Sequence, residues 1–217
     1  MTTIARTAEP SRIRRVTTTR LLIGGAAAPP VFATAVLVQA ATRDGYAITR
    51  HPASVLANGN LGWVQITTFL VTGALMLGCA IGVKRVLQEG PGHVWGPRLL
   101  ALQGVGLIIA GLFRMDAADG FPTGTPDGVP STMSWHAVVH NLAGTVSFVA
   151  MIVLCSVLAR RFTGAWARVG RLCAVLFAAG LVWAFSGGTA GALTLFLGVI
   201  TAWSWISVTA ARLVRTA

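Results

Sequence analysis

Acidic residues are nearly missing from this chain: six Asp and Glu stand against seventeen Lys and Arg, and charged residues of both signs fill only 11% of its 217 positions. So little charge excludes an ordinary soluble domain, in which about a quarter of residues are charged. Cysteine is sparse too. Cys79, Cys155 and Cys173 are odd in number, widely spaced and set inside apolar stretches, which excludes a disulfide framework or a metal knuckle and suits small buried side chains. No charged residue falls at the centre of any apolar stretch, where coupling-ion sites sit, and the two halves show no internal repeat. A small transporter therefore ranks last among the functional classes. No segment matches a catalytic or cofactor motif strongly enough to decide an activity.

What is abundant is apolar length. Hydrophobic residues make up 54% of the chain, and six windows reach the roughly 20 residues needed to cross about 30 Å of hydrocarbon: about 21–40, 61–83, 98–118, 136–158, 169–187 and 190–210. The expected fold is all-α, a polytopic membrane protein whose six transmembrane helices form one bundle over residues 21–212. The apolar run after Arg20 is longer than a signal-peptide core, so an uncleaved first helix is expected. Residues 1–20 read as a basic, disordered arm.

Orientation follows from the basic residues. Fourteen of the seventeen fall in the N-terminal arm, the second and fourth connections and the C-terminal end, and only Arg43, Arg50 and Arg114 fall on the opposite face. Lys and Arg are enriched in cytoplasmic loops, so both termini are expected in the cytoplasm of a cell-membrane, multi-pass protein. The net charge of +11 is spread over short juxtamembrane segments, with no basic face of a folded domain, so nucleic acid is not an expected partner. Membrane lipids are, through their anionic headgroups. The sequence does not set the oligomeric state.

Inside the spans, Pro29-Pro30 predicts a kink in the first helix. Gly78 with Gly82, and Gly187 with Gly191, have the small-xxx-small spacing that lets helices approach within one chain. Trp63, Trp135 and Trp183 mark one membrane boundary, Trp95 and Trp166 the other. Gln65, Gln103 and Asn141 read as interhelical hydrogen-bonding groups.

Any chemistry concentrates on the outer face. Strictly apolar residues of the third helix are few, and continuing it to about Ala118 leaves Arg114 and Asp116 at headgroup depth, where an acid needs a partner. His136 and His140 share one helix face. With Asp116 they can complete a two-histidine, one-carboxylate shell for a divalent metal. The leading alternative is a buried pair of Asp116 with His140 that fixes the third and fourth helices, with His136 wetted. An acid–base role toward a lipid-like substrate is the third reading. Haem is not expected, because two ligands four residues apart on one helix cannot reach opposite faces of the macrocycle. Arg50, His51, Ser54, Arg114 and Asp119 complete the set of outer-face pocket candidates; Ser54 lacks a visible activating base.

Several motifs together carry a resemblance over about residues 20–210: Arg50-His51-Pro52 with Ser54, Gly62-Trp63-Val64-Gln65, Gly111-Leu112-Phe113-Arg114-Met115-Asp116, Asp119-Gly120-Phe121-Pro122, and the His136 and His140 pair. With these the chain resembles the domain of unknown function 998 family of six-helix bacterial and archaeal membrane proteins. That family usually has proline after the acid matching Asp116, where Ala117 stands here. The resemblance implies six helices and a polar outer pocket, and supplies no activity. More distantly the layout is similar to the six-helix Frag1, DRAM and Sfk1 group, whose members are linked to lipid handling. The functional expectation is a lipid-interacting, structural or sensory bundle. Its rival is a membrane-embedded hydrolase or cyclase acting on a lipid or isoprenoid through Asp116, His136 and His140.

Overall fold

The computed structural model describes residues 8–215. Six helices account for most of them: α1 (Ala8–Thr42), α2 (Gly62–Val86), α3 (Trp95–Leu112), α4 (Trp135–Ala159), α5 (Gly164–Phe185) and α6 (Gly191–Val214). All six contain segments long and apolar enough to cross a membrane. Each helix packs chiefly on its neighbours in the chain, and α6 returns against α1. The result is a closed ring of helices.

The connections divide between the two ends. The α1–α2, α3–α4 and α5–α6 loops share one end, which we call the cap end; Lys84, Arg85, Arg98, Arg160, Arg161, Arg168, Arg212 and Arg215 flank the other, the basic end. Between them the outside of the ring is apolar, with Val182 69% and Phe185 70% exposed, as a lipid-facing surface requires.

Two helices, α1 and α3, differ most from the sequence expectation. α1 begins at Ala8, so residues 8–20 are helical where a disordered arm was expected; residues 1–7 of that arm lie outside the described residues. Its 35 residues extend about 52 Å at 1.5 Å per residue, well beyond one membrane thickness. Extending an existing helix costs far less than nucleating one, and Thr17 and Thr18 bond back to the carbonyls of Ile13 and Arg14 along that extension. α3, expected over 98–118, runs from Trp95 to Leu112 instead. Pro97 lies in its first turn, where proline is tolerated, so the helix starts three residues early at the basic end and stops six residues early at the cap end. Phe113 is already extended, at φ −112° and ψ 104°.

Pro29 and Pro30 lie inside α1, which stays helical through them. A proline at 30 has no N–H for the carbonyl of Ala26, and the Ser207 hydroxyl of α6 donates to that carbonyl instead. A neighbouring helix thus satisfies the freed acceptor. Gly78 and Gly82 receive Leu21 and Leu22 of α1, and Gly191 lies against Ala184 in the α5–α6 hairpin, while a Cβ at Gly187 would meet nothing within 4 Å; the first glycine pair packs within the chain and the second does so only at Gly191. Gly73 and Gly104 join α2 to α3 backbone on backbone.

Candidate functional site

At the cap end two loops interlock. Asp119 and Gly120 both have positive φ, 54° and 83°, and Ala118 and Phe121 exchange backbone hydrogen bonds of 3.1 and 3.0 Å across them. Asp-Gly is suited to such a turn because both central residues must enter the left-handed region. The turn presents Asp119 to the first loop. There the buried His51 ring accepts from the Ala47 N–H at Nδ1 (2.9 Å) and donates from Nε2 to the Asp119 carbonyl (2.8 Å). These partners define the Nε2-protonated tautomer. Rings of Tyr46 and Phe121 flank it, and the Tyr46 hydroxyl donates to the His51 carbonyl at 2.9 Å. Burial raises the Tyr46 pKa.

Around this buried latch lies an exposed ionic one. Arg50 meets Asp119 through Nε and Nη2 at 3.1 and 3.0 Å and approaches Asp127 at 3.9 Å. The hydrogen bond from Arg50 is the main cause holding the Asp119 carboxyl below its ordinary pKa. Solvent and salt screen such an exposed pair, so the histidine latch carries more of the cohesion. Arg43 adds a third tie: it donates to the carbonyls of Leu56 and Asn58 and lies over the Phe121 ring at 4.8 Å. Partial burial lowers its pKa.

Asp116 and His140 do fix α3 to α4, but each through a partner other than the one expected. Asp116 accepts from the Ser134 backbone N–H (2.8 Å) and hydroxyl (2.6 Å), and Ser134 in turn caps α4 by accepting from Ala137 N–H. A carboxylate at this position also complements the helix dipole. His140, buried on α4, places Nδ1 at 3.0 Å from the Ala110 carbonyl and 2.8 Å from that of Phe113. Both are acceptors, so Nδ1 carries the proton and caps the free carbonyls at the end of α3. The residue after α3 that starts α4, and the residue on α4 that ends α3, form a reciprocal pair of caps. This also explains why α3 stops at Leu112.

His136 is exposed and stacks on Trp135, with ring centroids 3.7 Å apart, near Phe113. Among the described residues no three His, Cys, Asp or Glu side chains converge as metal ligands would, and Asp116 commits both oxygens to Ser134. Arg114 is exposed. Ser54 lies on a short 3₁₀ helix, Ala53–Ala57, in the first loop.

That short helix roofs an interior cavity of about 80 Å³, between α1, α2, α3, α4 and α6. Its wall is apolar, with Phe32, Phe69, Leu107, Phe148 and Phe196 prominent, and no titratable side chain lines it. Three polar atoms on the lining residues nevertheless lack a hydrogen-bond partner among the described residues: Gln103 Oε1, Ser147 Oγ and Trp203 Nε1. Gln103 reaches only the Met151 sulfur, at 3.3 Å. Ser147 approaches α3 where Gly106 leaves room; a Cβ there would stand 1.7 Å from its hydroxyl. The cavity draws residues from five helices, so no local motif announced it. Gln103 stood out in the sequence as a polar group inside a span, while Ser147 and Trp203 did not stand out as cavity residues.

A ring of six apolar helices with a polar, interlocked cap and an apolar cavity among the helices defines a polytopic integral membrane protein. The family model described as "Protein of unknown function (DUF998)" matches residues 26–212, and the chain belongs to that family. No curated protein and no solved structure matches it.

Proposed function

We propose that this protein is a lipid-binding membrane bundle whose interior cavity takes the apolar chain of a neutral lipid or isoprenoid. The unpartnered polar atoms of Gln103, Ser147 and Trp203 within an apolar wall carry this reading. A buried polar group without a partner costs about 1–3 kcal/mol, so a ligand offering a hydroxyl or carbonyl there recovers interactions the protein alone leaves unmade. The absence of titratable groups from the wall favours an uncharged ligand and argues against acid–base chemistry inside it. At about 80 Å³, against about 300–1,000 Å³ for drug-sized ligand sites, the space suits a chain segment with the rest of the molecule outside. The capping roles of Asp116 and His140 and the stacked position of His136 favour binding over hydrolysis or cyclisation by those residues.

The test is native mass spectrometry of protein purified in mild detergent, with the released lipid identified. The wild type is expected to retain an uncharged lipid. Ala192→Phe, at the cavity wall, is expected to lower its occupancy at least about fivefold, from the roughly 1–3 kcal/mol that overpacking costs, with the fold unchanged. Equal occupancy in both proteins would sink the proposal.

In the cell membrane the basic end faces the cytoplasm in this reading, because cytoplasmic loops are enriched in Lys and Arg. A cysteine replacing Asp127 should react with an impermeant thiol reagent on intact cells, and one replacing Gln88 should not. The opposite labelling would reverse the orientation.

A further inference from the structure

At the basic end a cleft of about 950 Å³ opens between α1, α2 and α3. Four permanent cations line it: Arg14 from α1, Lys84 and Arg85 from the last turn of α2, and Arg98 from the first turn of α3. No carboxylate lines its wall, and none of the four makes an ion pair among the described residues. Gln88 donates to the carbonyls of Lys84 and Arg85 at 2.8 and 2.9 Å, so the end of α2 is satisfied without drawing on its basic side chains. Arg98 rests on the Trp95 ring at 5.4 Å, the boundary tryptophan of this end. His93, whose Nδ1 lies 2.7 Å from the Gly90 carbonyl, also lines it, and the remaining wall is apolar, including Leu77, Ile81, Val94 and Ala101.

Four like charges sharing one cleft repel each other, and their cluster lies where helices leave the hydrocarbon. The complement to such a wall is a molecule with a negative head and an apolar tail, positioned at headgroup depth. We propose that this cleft binds an anionic glycerophospholipid, its phosphate among Arg14, Lys84, Arg85 and Arg98 and an acyl chain along Leu77, Ile81 and Ala101. This site is separate from the interior cavity and does not rest on that reading. Its ligand is charged, whereas the cavity's is neutral.

The test uses the full chain in detergent, titrated with phosphatidylglycerol or phosphatidylcholine of identical acyl chains and read by native mass spectrometry. The wild type is expected to retain phosphatidylglycerol at least about tenfold better. Arg14→Gln with Lys84→Gln, and separately Arg85→Gln with Arg98→Gln, should each bring that preference close to parity, since one basic residue near an anionic surface contributes about a factor of five. Arg160→Gln with Arg168→Gln, at the same end but off the cleft wall, should keep it. Should either cleft double variant fail to fold, Lys84→Gln and Arg98→Gln singly, both exposed, should each lose about fivefold. Three results would overturn the site: no preference in the wild type, an equal loss in the Arg160 and Arg168 control, or displacement of the lipid by an equal concentration of inorganic phosphate.

Discussion

Gly104→Leu is expected to leave no monodisperse protein after detergent extraction, while Gly144→Leu is expected to purify and melt as the wild type does. A Cβ added at Gly104 would stand 2.8 Å from the Gly73 carbonyl oxygen and 3.0 Å from the Leu77 nitrogen; one added at Gly73 would stand 2.7 Å from the Gly104 carbonyl oxygen. These neighbours are backbone atoms of facing helices and cannot rotate aside as a side chain does. Overpacking a core costs about 1–3 kcal/mol when side chains can adjust, and here the adjustment required is separation of α2 from α3. Inside a membrane lipid tails are as apolar as the helices, so close packing supplies much of the association. Gly144 on α4 meets nothing within 4 Å. Size-exclusion chromatography and thermal unfolding read both variants; a Gly104→Leu protein with the wild-type profile would contradict this account of the α2–α3 contact.

The second large effect is expected at His51. Its ring is 2% exposed, and His51→Ala would strip the Ala47 N–H of its partner, leave the Asp119 carbonyl with only its Arg50 hydrogen bond, and open a void between Tyr46 and Phe121. The stranded N–H costs about 1–3 kcal/mol, and loss of the packed ring adds to it, so about 2–4 kcal/mol is expected. Because the ring joins two loops and touches no membrane-spanning helix through these bonds, the damage should be confined to the cap. Hydrogen–deuterium exchange should accelerate over 43–61 and 113–131, with helix protection kept. His136→Ala, which removes only an exposed stacked ring, should leave that pattern unchanged. Wild-type exchange in the His51→Ala cap would show that the latch holds nothing.

Much of the architecture was legible along the chain. Each span carries its own hydropathy, so six helices could be counted without knowing how they pack. The basic residues sort by connection, and the same sorting appears at the two ends of the ring. Asp119-Gly120 was visible as part of a motif, and turn chemistry is local enough to explain its conformation. Asp116, His136 and His140 were visible as unusual polar residues near a membrane boundary. Their partners were not: Ser134 is a generic serine, and the carbonyls of Ala110 and Phe113 belong to the backbone, which composition does not describe. For the same reason α3 seemed to need extension toward Ala118, when a histidine on the next helix ends it at Leu112.

What the sequence alone determined is therefore what depends on short stretches of chain: membrane insertion, helix number, the segregation of basic residues, and the concentration of polar residues in two loops. Tertiary structure decided the rest. It selected Gly73 and Gly104 for a backbone-on-backbone helix contact, turned Asp116 and His140 into reciprocal caps, joined His51 to Asp119 across 68 residues, and left Gln103, Ser147 and Trp203 around one cavity. The physical reason is distance: hydropathy and turn propensity act over a few residues, whereas hydrogen bonding and close packing at these sites join atoms from separate helices and loops.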